Sequence, residues 1–272
     1  VECDYMVGAL LDGFEVMVRL SETAKVMVIE GDEYLTSPID RRPKFHLYQP
    51  TIGIVSGIAW DHVNVFPTFD IYVKQFEIFA KMIPANGRFI YCEADEVLRE
   101  LAGKIDNAPK QPYGVHPYHI TDGITYIETP YGDYPLQIFG RHNLMNLNAA
   151  RYACLSYGVL EEQFYQAISS FKGASKRLEP VVRQGSFAMY KDFAHSPSKL
   201  KATVSAVREQ YPEAHLIACM ELHTFSSLTE QFLQQYAGAM DEADEAIVYF
   251  SHEAIRHKRL PDLTEEMVMK AF

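Results

Sequence analysis

Apolar residues fall along this chain in short unbroken runs and in stripes of helical period. The first clear run, at 26–29, precedes Glu30, Asp32 and Glu33. A continuous apolar run of that length reads as a strand buried on both faces of a parallel sheet. A weaker strand is predicted before it, at 16–20, ending in Ser21-Glu22-Thr23. A second buried strand spans 51–59 and ends in Trp60-Asp61-His62. Apolar positions 72, 73, 76, 79, 80 and 83 then recur at helical spacing, predicting a helix over 69–83. Gly87 leads into a strand at 88–92, and 97–102 is a short helix. Alternation of strand and helix implies an α/β fold with a mostly parallel sheet.

The period changes after that. Residues 124–139 read as an antiparallel hairpin around Tyr131-Gly132-Asp133. A long helix starts at Gly140-Arg141-His142-Asn143, and another covers 161–171. Residues 172–176 read as a linker, dividing the chain into domains 1–172 and 173–272. Beyond it come a strand at 187–192, a helix over 196–210, a strand at 215–220, a helix over 226–240 and a strand at 245–250. Ser196 suits an N-cap and Pro197 a first helical position.

Composition narrows the picture. The 272 residues are 48% hydrophobic and 22% charged, with a formal net charge of −11. That is globular, and too acidic for general nucleic-acid or anionic-membrane binding. Cys3, Cys92, Cys154 and Cys219 form no CxxC pair, and the last three sit in apolar surroundings, so buried reduced thiols are expected. No apolar run reaches membrane-spanning length and no signal peptide is present, which points to a cytoplasmic protein.

Candidate chemistry gathers at strand ends, where open α/β sheets bind ligands. Carboxylates crowded at 30, 32 and 33 need a positive partner. A Mg²⁺ ion held by oxygen ligands would serve, and so would solvent around an acidic loop. His62 adds a metal-capable group at the next strand end. Arg41, Arg42 and Lys44 either recognise an anionic substrate or pair with nearby acids.

Ordered motifs carry a resemblance. Ile29-Glu30-Gly31-Asp32-Glu33-Tyr34 comes first and Trp60-Asp61-His62 second. Gly140-Arg141-His142-Asn143-Leu144-Met145-Asn146-Leu147-Asn148-Ala149-Ala150 is third. Arg177-Leu178-Glu179 with Lys191-Asp192-Phe193-Ala194-His195-Ser196-Pro197 closes the set. In order and spacing the chain resembles the Mur ligases, ATP-dependent amide-forming enzymes of peptidoglycan synthesis. The resemblance implies the family's central domain, a mostly parallel sheet plus an antiparallel hairpin, followed by a smaller Rossmann-like C-terminal domain. It implies ATP and Mg²⁺ as cofactors, with UDP-N-acetylmuramate and a peptide or amino acid as substrates. Glu30 would hold the Mg²⁺ that bridges the ATP phosphates, and His62 a second Mg²⁺. Asn143 and Asn146 would contact adenine, Arg177 the γ-phosphate and Asp192 the ribose, with His195 beside the nucleotide. Each has a plainer reading: Asn143 as a helix cap, Arg177 and Glu179 as an ion pair, Asp192 and His195 as a polar turn. Within the family, the run 34–45 is similar to the branch that adds a recycled tripeptide, L-Ala-γ-D-Glu-diaminopimelate, rather than L-alanine.

The chain departs from the family pattern in five places. The family's Gly-x-x-Gly-Lys-Thr phosphate loop is missing, and by spacing Val1 would fall in the helix after it. The sugar-binding N-terminal domain and the last C-terminal strands are missing too, so the sequence reads as an internal fragment, expected to be inactive alone. Where some members carry a carbamylated lysine this chain has Glu77, with Lys74 nearest. After His223 it has Thr224 where alanine-adding relatives have a basic residue. Three rivals stand beside the tripeptide reading: ligation of L-alanine or another amino acid, a metal-dependent hydrolase built on Glu30, Asp61 and His62, and a non-catalytic nucleotide-binding module.

Overall fold

The computed structural model describes residues 2–8, 14–60 and 65–272. β1 (Asp4–Met6) pairs antiparallel with β2 (Val18–Arg19) and parallel with β3 (Met27–Ile29). The apolar run is therefore a strand, but not one buried on both faces: Met27 and Val28 are 42% and 53% exposed. Among the described residues β3 pairs with β1 alone, so it is an edge strand.

A second, parallel sheet has the order β4-β5-β6, from β4 (Ile52–Val55), β5 (Arg88–Cys92) and β6 (Lys110–Tyr113). α1 (Phe69–Lys81) and α2 (Glu96–Gly103) make the crossovers between its strands. Thr68 caps α1 through the amide of Ile71, and Asp95 caps α2 through that of Leu98. β5 is the central strand, and its Phe89 and Ile90 are fully buried against Leu98 and Ile105. Gly87 has to be glycine, because a Cβ there would lie 2.1 Å from the Thr51 carbonyl oxygen. β6 was not visible in the sequence, since it contains Pro112; an edge strand tolerates proline because one of its sides needs no donor. The predicted strands at 26–29 and 51–59 both form, but in different sheets.

A third sheet has the order β7-β8-β9: β7 (Tyr118–Thr121), β8 (Ile124–Thr129) and β9 (Gly132–Pro135). The predicted hairpin is β8–β9, and β7 is an addition. The turn between β7 and β8 places Asp122 and Gly123 at φ 52° and 70°, the pair of left-handed residues that a tight two-residue hairpin needs. α3 (Arg141–Tyr157) and α4 (Glu161–Ile168) follow.

The remainder comprises β10 (Glu179–Gln184), β11 (Phe187–Lys191), α5 (Pro197–Gln210), β12 (Ile217–Leu222), α6 (Glu230–Leu233), β13 (Glu245–Phe250), α7 (His252–His257) and α8 (Glu265–Ala271). β10 pairs antiparallel with β11, and β12 pairs parallel with β13. One face of the β12–β13 pair rests on a core of Leu222, Leu228, Leu233, Tyr236 and Ile255. Ser196 sits at the N-cap of α5 with Pro197 at its start, though its hydroxyl makes no capping bond. The helix predicted over 226–240 is broken into a 3-10 turn at Ser226–Leu228, α6, and a 3-10 turn at Gln234–Tyr236. Thr224, Ser227 and Thr229 hydrogen-bond to local hydroxyls and backbone, which competes with helix propagation. Cys92 is buried as expected, whereas Cys219 lies on the uncovered face of β12 and is exposed.

The chain forms two units. The first holds Val1–Pro117, Glu128–Tyr134 and Asn143–Ser170, and the second holds Tyr118–Ile127, Pro135–His142 and Phe171–Phe272. The β7–β8 hairpin thus belongs to the second unit, where Thr125 Oγ1 donates to Gln210 Oε1 (2.8 Å) and Gln210 Nε2 donates to the Gly123 carbonyl (2.6 Å).

Candidate functional site

Glu30 follows β3 directly and is exposed. Its Oε2 accepts the Gly8 amide at 2.5 Å, which aims the carboxylate along the strand end. Its two acidic neighbours have partners of their own. Asp32 accepts from Lys44 Nζ at 2.6 Å and from the Tyr34 amide at 2.8 Å, while Glu33 accepts from the Tyr72 hydroxyl at 3.2 Å. The positive partner sought for this cluster is therefore partly built in, and the Lys44 ammonium is in turn pushed up by Asp32. Arg42 pairs with Asp40 through two nitrogens and holds that carboxyl well below its usual range, at about 2. The basic run 41–44 thus spends Arg42 and Lys44 on neighbouring acids.

Asp61 and His62 lie outside the described residues. The loop that leads to them is held at its base, where Asp95 Oδ2 accepts the Ile58 amide at 2.7 Å and Trp60 Nε1 donates to the Phe66 carbonyl at 3.0 Å. Lys74 pairs with Glu77, as does Lys81, and together they draw the Glu77 carboxyl down to about 2. Among the described residues no group of three or more His, Cys, Asp or Glu is placed to hold a metal.

Asn143 and Asn146 sit near the start of α3 in the first unit, Asn143 half-buried and Asn146 exposed. Below them runs a polar network that no sequence motif signalled. Asn148, buried, donates to the Gly114 carbonyl at 3.0 Å and accepts from Arg151 at 3.1 Å. Arg151 forms an ion pair with Glu161, which also accepts from the Tyr165 hydroxyl at 3.2 Å. Tyr165 meets His116 Nε2 at 2.9 Å, and burial pushes the His116 imidazole down. The helix carrying both asparagines is thereby bolted to the loop after β6.

In the second unit, Asp192 Oδ2 accepts the Leu178 amide at 2.8 Å, and the Phe193 amide donates to the Lys176 carbonyl at 2.9 Å. These bonds tie the Arg177-bearing turn to the end of β11. Lys176 and Leu178 both have left-handed backbone, at φ 58° and 46°. Glu179 accepts the Lys176 amide at 2.7 Å, so it braces the same turn. Burial pushes the His142 imidazole down; Asp192 opposes that shift and Arg177 adds to it. Of the predicted residues, Arg177, Asp192 and His195 fall in this unit, and His142 joins the first two. Its motif neighbour Gly140 has φ 89°, and a Cβ there would lie 2.6 Å from Ala206 Cβ, so glycine sets the entry to α3. His195 Nδ1 lies 3.0 Å from the Phe193 carbonyl, and its ring forms a cluster with Phe193 and His223.

Two family models match in series: the Mur ligase middle domain over residues 12–154 and the Mur ligase glutamate ligase domain over 176–271. The chain belongs to the Mur ligase family. A UDP-N-acetylmuramate–L-alanine ligase of Pelodictyon phaeoclathratiforme is 30% identical over 252 residues, covering 88% of this chain and 51% of that protein. The chain spans about half the length of the curated relatives it matches. Its fold is that of a UDP-N-acetylmuramate–alanine ligase from Thermotoga maritima (TM-score 0.68, 16% identity, 94% of this chain and 57% of that one). A murein peptide ligase from Psychrobacter arcticus shares it as well (TM-score 0.60, 19% identity, 99% and 60%). The Mur ligase middle and C-terminal domains are thus both present, as α/β units with parallel sheets and antiparallel hairpins.

Proposed function

We propose that this chain is the nucleotide-handling and ligating part of a Mur-type enzyme that joins UDP-N-acetylmuramate to an amino acid or peptide, with ATP. The observation that carries the reading is the match of both family domains, in order, on one chain. A carboxylate and an amine do not condense in water at a useful rate. Transfer of the γ-phosphoryl group to the carboxylate gives an acyl phosphate, and the amine then displaces phosphate to leave the amide, ADP and phosphate. Such transfer depends on positioning and on neutralising spread negative charge. Asn143 and Asn146 are assigned to adenine and Asp192 to the ribose hydroxyls. An ionised carboxylate has more acceptor sites than the Leu178 amide occupies. Arg177 offers a planar fork of donors for phosphate oxygens, and His195 is assigned beside the nucleotide. Glu30 fits a hard cation, being an exposed carboxylate fixed by one amide. With His62 it would hold Mg²⁺, which neutralises phosphate charge when bound.

For the acceptor, the curated relatives are L-alanine ligases and favour L-alanine. The run 34–45 favours the tripeptide, although Arg42 and Lys44 are engaged with their own acids. No helix among the described residues is long and apolar enough to cross a membrane, in keeping with a cytoplasmic reaction on nucleotide substrates. The test supplies the polypeptide in which these residues occur with UDP-N-acetylmuramate, ATP and Mg²⁺, and identifies the amide product by mass. Product with L-alanine alone assigns the first branch, and product with the tripeptide alone assigns the recycling branch. Product with neither refutes the ligase reading in favour of a non-catalytic nucleotide-binding module.

A further inference from the structure

One face of α3 carries a stripe at helical spacing, Leu144, Leu147, Asn148 and Arg151. The first three of these are buried. Asn143 and Asn146, three apart, lie on the opposite face. An asparagine is out of place in the buried stripe, where a third leucine would bury more apolar surface at no desolvation cost. Both ends of its amide are nonetheless satisfied. Nδ2 donates to the Gly114 carbonyl at 3.0 Å, and Oδ1 accepts from Arg151 at 3.1 Å. Arg151 is itself fixed, its Nε donating to Glu161 at 2.7 Å and its guanidinium lying 4.8 Å from the centre of the Tyr152 ring. Gly114 is fixed from the other side. It follows β6 directly, and the Tyr113 carbonyl before it accepts the Glu93 amide at 2.9 Å. A Cβ on Gly114 would lie 3.1 Å from Glu93 Oε1. The Gly114 carbonyl is therefore a point of reference at the carboxyl end of the β4-β5-β6 sheet.

A leucine packs acceptably in several settings of a helix against a sheet. A buried asparagine is satisfied only in the setting that brings its amide to a carbonyl and its oxygen to a donor. Turning α3 by one residue, about 100°, would carry Asn148 off Gly114 and swing Asn143 and Asn146 through the same angle. We propose that Asn148 is a positioning residue for the nucleotide: it sets the rotation of α3, and through it the aim of the two asparagines on the far face. The proposal rests on the assignment of Asn143 and Asn146 to adenine. It separates two quantities that a purely structural residue would move together, because Asn148 selects one setting of the helix while its apolar neighbours supply the stability.

The test uses the polypeptide in which the chain occurs, and reads the KM for ATP, kcat and the unfolding midpoint of each variant. Asn148→Leu keeps the helix and the apolar stripe and loses both bonds. It is expected to raise the KM for ATP about tenfold to a hundredfold, as when two neutral hydrogen bonds weaken together, with kcat at saturating ATP unchanged. Its unfolding midpoint is expected to stay close to wild type, since the added apolar burial offsets the carbonyl left unpaired. Asn148→Asp keeps an acceptor for Arg151 but has no amide to donate to Gly114, and is expected to raise the KM as well. Leu147→Ala opens a cavity on the same face and is expected to do the reverse, lowering the midpoint and leaving the KM unchanged. An unchanged KM in either Asn148 variant overturns the proposal. So does a KM raised equally in Leu147→Ala, or a midpoint that falls in Asn148→Leu in step with activity, since Asn148 is then a structural residue only. The wild type checks the underlying reading separately: if it binds no ATP, or makes amide without consuming it, that reading fails and the proposal with it.

Discussion

The polar network beneath α3 and the cavity lined by β11 and β12 stand in contrast. In the first unit a buried histidine, tyrosine, asparagine and ion pair satisfy one another from His116 to Gly114. In the second, residues of β11 and β12 line a cavity. A closed network fixes one geometry, because breaking any bond strands a desolvated partner. The network places rigidity under the asparagines assigned to adenine.

The harshest way to break this contrast is Glu161→Ala. It leaves Arg151, only 18% exposed, without its carboxylate, and costs Tyr165 an acceptor. We expect a loss of about 2–4 kcal/mol in urea unfolding of the first unit. A loss within error would show that the network is not closed.

A smaller effect follows from pH. Burial lowers the His116 pKa, so the fold favours neutral imidazole while the unfolded chain titrates near 6.5. Unfolded chains then bind more protons below about pH 6.5, and the stability contributed by neutral His116 is lost as pH falls below that point. Arg151 adds to the depression, while Glu161, Glu128 and the Pro117 carbonyl oppose it. His116→Gln keeps a donor and an acceptor and should flatten the unfolding profile between about pH 5 and 7. An unchanged profile would assign the acid sensitivity elsewhere.

The smallest effect on stability is expected at Asn146, which is exposed. Asn146→Ala should stay within about 0.5 kcal/mol of wild type. Nucleotide affinity measured by titration calorimetry should nonetheless weaken by about tenfold or less, as for one lost neutral hydrogen bond. Equal affinity would remove Asn146 from the adenine site.

These contrasts were unevenly visible in the sequence. α1 was legible because a long stripe of period 3.6 survives local noise, α5 because Ser196 and Pro197 mark its start, and β5 and β13 because apolar runs lie between turn signals. β6 and β10 were not: one contains Pro112 and the other exposes all six of its residues, so neither shows alternation. Pairing was beyond reach as well. Two similar apolar runs became β3 and β4 in separate sheets, because partners are chosen by the whole fold rather than by the strand. For the site, Glu30, Asn143, Asn146, Arg177, Asp192 and His195 were legible as motif positions. What orients them was not: the Leu178 amide on Asp192 and the Gly8 amide on Glu30 are backbone donors, which any residue supplies. His142 stood in the motif without a role until the fold brought it near Asp192 and Arg177.

The central claim is that these units serve ATP-driven amide formation, and counting phosphate against amide tests it most directly. The polypeptide in which the chain occurs would be given UDP-N-acetylmuramate, Mg²⁺ and an equal mixture of L-alanine and the tripeptide, with and without ATP. The account predicts one phosphate released per amide bond formed and no product without ATP. Turnover of substrate in the absence of ATP would contradict it and favour a metal-dependent hydrolase, and nucleotide binding with neither phosphate nor amide would contradict it in favour of a binding module.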